Sequence, residues 1–255
     1  MISDKSANVL AAPADERSGR SSFFRQSGWM LVATTLSGVL MYAVHKVAKE
    51  MPKSEYGVFM TLLQVLNMMT IPAMGLQLVF VQQTVAALSQ GERRQLTGTV
   101  RGVVGIAFGI WLCIALAAFI FQNRLAAAYK IENPAAIWAT VAMALIAVVN
   151  PVVMGLLQGK MNFLWLGIAA MLNGAGRLIA IGVIVLVLGG YAAGAMSGAV
   201  IGMGLAVGVA AWHTRDIWAG PSEPIQWRPW LTRVIPLTLG FGTATVMLSW
   251  DMIVV

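Results

Sequence analysis

Between Gly28 and Asp251 the chain is a succession of apolar runs, each near the length of a bilayer crossing, joined by short links that hold most of its charge. A helix rises about 1.5 Å per residue, so about 20 apolar residues cover the roughly 30 Å hydrocarbon core of a membrane. Backbone polar groups in lipid must be satisfied inside the segment itself. The composition agrees: 58% of residues are hydrophobic and 11% charged, with a mean hydropathy of +0.77. A soluble domain carries about 45–50% apolar and about 25% charged residues. The fold class follows: all-α, a polytopic helical membrane protein.

The runs divide the chain. Residues 1–26 are small, polar and without apolar period, and are expected to form a flexible cytoplasmic tail. Residues 27–212 hold about six spans, at 28–47, 54–90, 97–121, 135–157, 163–188 and 191–212. Residues 213–230 form the longest internal polar stretch, with Trp, Arg and Pro interleaved as suits the headgroup zone. Residues 231–255 begin a seventh, truncated span and with it the start of a second bundle. Within the second run Thr61, Gln64 and Asn67 step by three and share one helix side, which is expected to meet other helices or a wet cavity. Pro72 and Gly75 are read as a kink or hinge in that run, and Pro151, after Asn150, as another in the fourth. Gly190, Gly194, Gly198 and Gly202 recur every four residues and predict a close helix–helix seam.

The formal charge is +7. In a soluble chain that would suggest nucleic acid. Here the basic residues sit in loops, so membrane topology accounts for them and nucleic-acid binding is set aside. With the N-terminus inside, roughly eleven Lys and Arg fall on the inner side and five on the outer, which orients the N-terminus towards the cytoplasm. The single cysteine, Cys113, lies in an apolar run and excludes an internal disulfide. There is no phosphate-binding glycine loop ending in Lys-Ser/Thr, no HExxH, no GxSxG and no paired acids at site spacing, so neither an enzyme, a metal site nor a cofactor is expected.

A few polar residues inside or beside the runs stand out. Arg177 lies near the middle of the fifth run, with Asn173 one turn earlier. A guanidinium there costs about 2.5–3.5 kcal/mol on insertion scales. It reads either as a cavity-facing cation for a diphosphate, which an arginine fork matches, or as one member of an internal ion pair or cap. Asp251 is the one acid inside an apolar run. It is a candidate for proton or sodium coupling, or a partner for Arg177. His45 and Lys46, at the far end of the first run, are interfacial anchors or contacts to a substrate phosphate. Arg25, just before that run, snorkels to lipid headgroups or touches the substrate head.

SEYGVF at 54–59, GLQLVFVQQTVAA at 75–87, GLLQGKMNF at 155–163, Arg177-Leu178 and WDMIVV at 250–255 together resemble the N-terminal half of the polysaccharide-export flippases. That family belongs to the superfamily that also holds the lipid II flippase and the multidrug and toxin extruders. The resemblance implies a multi-pass protein of the bacterial inner membrane that moves lipid-diphosphate-linked oligosaccharide outward, for cell-surface polysaccharide such as O-antigen. It further implies H+ or Na+ coupling, alternating access between two six-helix bundles, and association with other membrane proteins of polysaccharide assembly. Arg177, Lys46, Arg25, Asn67 and Gln64 are then candidate substrate contacts, Asp251 the coupling residue, and Pro72, Gly75 and Pro151 hinges. The alternatives are a multidrug or toxin cation antiporter of the same superfamily, a membrane-embedded polysaccharide polymerase, and a non-transporting helper subunit. The family has about twice as many spans, so a product of this length is expected to be inactive alone.

Overall fold

A computed structural model describes residues 12–67 and 70–253; the side chains of Arg25, Pro72, Arg233 and Asp251 are among those outside the description. The described residues are helical, with no strand among them. The helices are α1 (Ala12–Ala48), α2 (Lys53–Asn67), α3 (Thr70–Ala86), α4 (Gln90–Ala128), α5 (Ala135–Gly159), α6 (Phe163–Ile181), α7 (Tyr191–His213), α8 (Arg215–Trp218) and α9 (Trp227–Ile253). Five of these segments are long and apolar enough to cross a membrane: 28–48, α4, α5, α7, and α6 together with its continuation to Val187.

Several boundaries differ from the sequence reading. The helix of the first span starts at Ala12, inside the expected flexible tail, with Pro13 in its first turn, where a missing N–H costs little. The second run is divided: α2 ends at Asn67 and α3 begins at Thr70. Pro72 therefore sits in the first turn of α3, where a missing N–H costs little, and not in the middle of one long span. α5 runs through Pro151 without a break. Beyond Ile181, α6 continues as a π-helical segment, Gly182–Val187, where Leu188 N donates to Val183 O. The link at 213–230 is partly helical, and α9 starts at Trp227, four residues before the expected seventh span.

Cross-helix pairs fix the topology. Trp29 Nε1 donates to Leu164 O, Ser37 Oγ to Ala170 O, and Met41 lies beside Arg177, so α1 and α6 run parallel. Lys49, just past α1, and the Gly159–Met161 turn before α6 thus lie at opposite ends of the bundle. α7 runs antiparallel to α6 along the glycine ladder. A Cβ on Gly194 would lie 2.5 Å from Ile184, on Gly198 2.5 Å from Ile181, and on Gly202 2.5 Å from the backbone nitrogen of Arg177. Only hydrogen side chains permit that approach. Around this seam the core is apolar: Phe59, Phe80, Leu156, Leu157, Ile181 and Met196 are all fully buried.

At the end of the bundle that holds the α5–α6 turn, the segment after α7 is strapped down. Lys160 Nζ meets Asp216 at 2.7 Å and donates to His213 O. Arg101 reaches it with all three guanidinium nitrogens, donating to Trp218 O, Gly220 O and Ser222 Oγ. Thr97 Oγ1 donates to Ile217 O, Glu223 N to Arg94 O, and the His213 ring stacks on Trp165 at 3.6 Å.

Candidate functional site

α6 is small-faced on both sides. Gly167 and Gly174 let α1 approach, and α7 closes from the other side through its own glycines. That double closeness is what buries a long cation. Arg177 is 6% exposed. Its Nη1 points at Met41 Sδ at 3.9 Å, a weak acceptor, while Nε and Nη2 have no partner among the described residues. His45, one turn beyond Met41 on α1, lies within electrostatic range of the same charge. Among the described residues the ion pair is Lys160–Asp216, so none of the carboxylates described there neutralises Arg177. The sequence reading's candidate partner for Arg177, Asp251, has its side chain outside the described residues.

One turn before Arg177, Asn173 opens onto a cavity of about 280 Å³. Gln77 of α3, Asn150 and Gln158 of α5 and Asn173 of α6 supply its polar wall. Met30, Met154, Leu166 and Ala206 supply much of the apolar remainder. Gln77 Nε2 donates to Gln158 Oε1 at 3.1 Å, and Asn173 Oδ1 is buried without a partner. The sequence reading passed over Gln77 and Gln158 as site residues and met Asn150 only as a kink. The available signal was an uncharged amide within or at the end of three apolar runs, since each is costly against lipid.

The other candidates are dispersed. Lys46 is exposed in the last turn of α1, next to His45. Gln64 and Asn67 are exposed on α2, while Val58, Phe59, Leu62 and Leu66 of that helix are buried. The polar stripe of α2 therefore faces away from the packed core of this bundle and does not join the cavity at Asn173. Gly75 is buried, with Thr238 of α9 against it; a Cβ there would lie 2.6 Å from Thr238 Oγ1. Pro151 is buried in α5, beside the cavity residue Asn150. Arg25 lies in α1, with its side chain outside the described residues, as are those of Pro72 and Asp251. No group of three His, Cys, Asp or Glu among the described residues is placed to hold a metal ion.

Neither a family model nor a curated protein matches this chain. Solved structures do. An outward-facing multidrug-resistance MATE family transporter of the MOP superfamily superimposes with a TM-score of 0.69 at 14% identity, over 90% of this chain and 53% of its own. Over the length it matches, the chain has the fold of about half of such a transporter. A MOP-superfamily transporter from Pyrococcus furiosus, described as having a binding pocket of reverse polarity that suggests a different function, gives 0.68 at 15% identity over 90% and 53%. A MATE in complex with Br-NRF gives 0.68 at 18% over 90% and 55%. At these identities the likeness concerns the fold. The chain spans about half the length of these transporters.

Proposed function

We propose that this chain forms the N-terminal bundle of a cation-coupled exporter for lipid-diphosphate-linked oligosaccharide. The observation that supports this reading is Arg177: a guanidinium buried in a membrane-spanning helix, with two of its three nitrogens unpartnered among the described residues. Leaving such a cation unpaired is expensive, and an anionic substrate that enters during the cycle recovers that cost. A diphosphate suits the guanidinium fork, since two parallel N–H groups can donate to one phosphate. In this reading Lys46 meets the phosphate as it leaves at the outer end, and Arg25 meets the head as it enters. Gln64 and Asn67, on the face of α2 turned from this core, contact the glycan between two bundles. Asp251 carries the coupling proton or sodium ion, and Pro72, Gly75 and Pro151 take up the change in helix direction. The bacterial inner membrane, with the N-terminus in the cytoplasm, is the proposed location.

The test is export of polymer in a flippase-deletion strain, with variants placed in a full-length context at matched membrane levels. Arg177→Ala should lower export about tenfold or more, since a charged hydrogen bond is worth about 1.5–3 kcal/mol, and Arg177→Lys should keep an intermediate level. Equal export by both variants would remove Arg177 from the substrate path.

A second reading, a multidrug or toxin antiporter, is supported by the MATE proteins among the structural matches. It predicts efflux of a lipophilic cation such as ethidium, which a buried, unpaired Arg177 would oppose. Ethidium efflux without polymer export would decide for it.

A further inference from the structure

The cavity next to Arg177 has a polar wall made of amides and no charge. Gln77, Asn150, Gln158 and Asn173 reach it from three helices. Each offers a donor and an acceptor in one planar group. The Gln77–Gln158 bond uses one half of each of those two side chains. Asn173 Oδ1, buried and unpartnered, asks for a donor.

This wall narrows the occupant. An ion gains little, because no opposite charge lines the cavity and stripping its water is costly. A hydrocarbon would leave the amides unsatisfied at about 1–3 kcal/mol per group. The volume of about 280 Å³ falls just below the roughly 300–1,000 Å³ that drug-sized ligands fill, so the occupant is a single ring and not an oligomer. We propose that this cavity binds one neutral sugar ring, its hydroxyls on the four amides and one ring face on Met154 and Leu166. Asn173 and Arg177 are four residues apart, or about 6 Å along the helix axis. Arg177 itself is not among the residues that line the cavity, and its Nη1 lies against Met41 of α1, so the two sites are neighbours along α6 and not one pocket. That the ring is the sugar attached directly to a diphosphate rests on the reading of Arg177 above; the binding of the ring does not.

The experiment uses the purified full-length protein in lipid nanodiscs, with its thermal unfolding midpoint titrated against methyl β-glucoside, inorganic pyrophosphate and, as a small-polyol control, glycerol. The glycoside should raise the midpoint saturably. Asn173→Leu and Asn150→Leu, near-isosteric changes on different helices, should each raise the apparent Kd about tenfold or more, and Gly208→Ala, whose added carbon meets nothing within 4 Å, should leave it unchanged. Far-UV helicity and the unliganded midpoint identify which variants are folded, and a folded one of the pair suffices. The proposal fails if the glycoside gives no saturable shift, if glycerol gives an equal shift at the same concentration, or if the shift survives in a folded Asn variant. A pyrophosphate shift that depends on Arg177, without a glycoside shift, would sink the sugar site and leave the Arg177 reading standing. The reverse pattern would sink Arg177 and leave the sugar site.

Discussion

At the scale of single residues, Gly202 and Arg177 are one device. The guanidinium is buried because the α7 backbone can lie against the α6 backbone, and it can do so because Gly202 has no side chain. Gly202→Val places carbon within 3 Å of backbone atoms that have no room to move. Overpacking of this kind costs about 1–3 kcal/mol, so the variant should unfold several degrees lower in detergent. Gly208→Ala meets nothing within 4 Å and should be neutral or slightly stabilising in the same melt. An equal loss from both would mean that the seam is not what seats Arg177. This pairing was half legible in the sequence. The four-residue glycine spacing announces a seam and Arg177 announces a buried cation, but only the antiparallel register brings position 202 opposite 177. The amide cavity was less legible still. Gln77, Asn150, Gln158 and Asn173 are far apart in the chain, and no spacing rule joins residues from three helices.

At the scale of elements, the strap after α7 is held unevenly. Lys160–Asp216 is a partly exposed ion pair, 30% and 62% exposed on its two sides, of a kind worth about 0–1 kcal/mol. Arg101 makes three directed bonds to the backbone and side chain of 218–222. Limited proteolysis should separate the two. Arg101→Ala should expose the strap to cleavage several-fold faster, while Asp216→Asn should change the rate less than twofold. Similar acceleration by both variants would put the ion pair in charge. The helices themselves were largely readable from apolar length, and the exceptions have physical causes. The second run was taken as one kinked helix because apolar character continues through Pro72, yet α2 and α3 are separate elements and the proline opens the second. From polarity the tail is expected to be flexible and the 213–230 link to lie in the headgroup zone, and neither expectation includes the helix found there. Polarity reports contact with water, and a helix exposed to water is polar as well.

At the scale of the molecule, parallel α1 and α6 carry a topological claim. Lys49 and the α5–α6 turn at Met161 lie at opposite ends of the bundle and so on opposite faces of the membrane. In a Cys113→Ala background, Lys49→Cys should react with a membrane-impermeant maleimide from one side only, and Met161→Cys only from the other. Labelling of both in intact cells would overturn the topology. If the inner-side excess of Lys and Arg sets the orientation, Lys49→Cys is the one labelled from outside.

The π-helical segment at Gly182–Val187 has a consequence for reckoning kinship. A π turn holds more residues than an α turn, so the side chains of Gly182–Val187, up to the cap at Leu188, drift out of step with the places a regular helix would give them. An alignment of this span with a relative whose helix is regular there should stay in step through Arg177 and then slip by one position. Correcting that slip should recover matched positions first on the side of the helix that faces α7, where Ile184 meets Gly194.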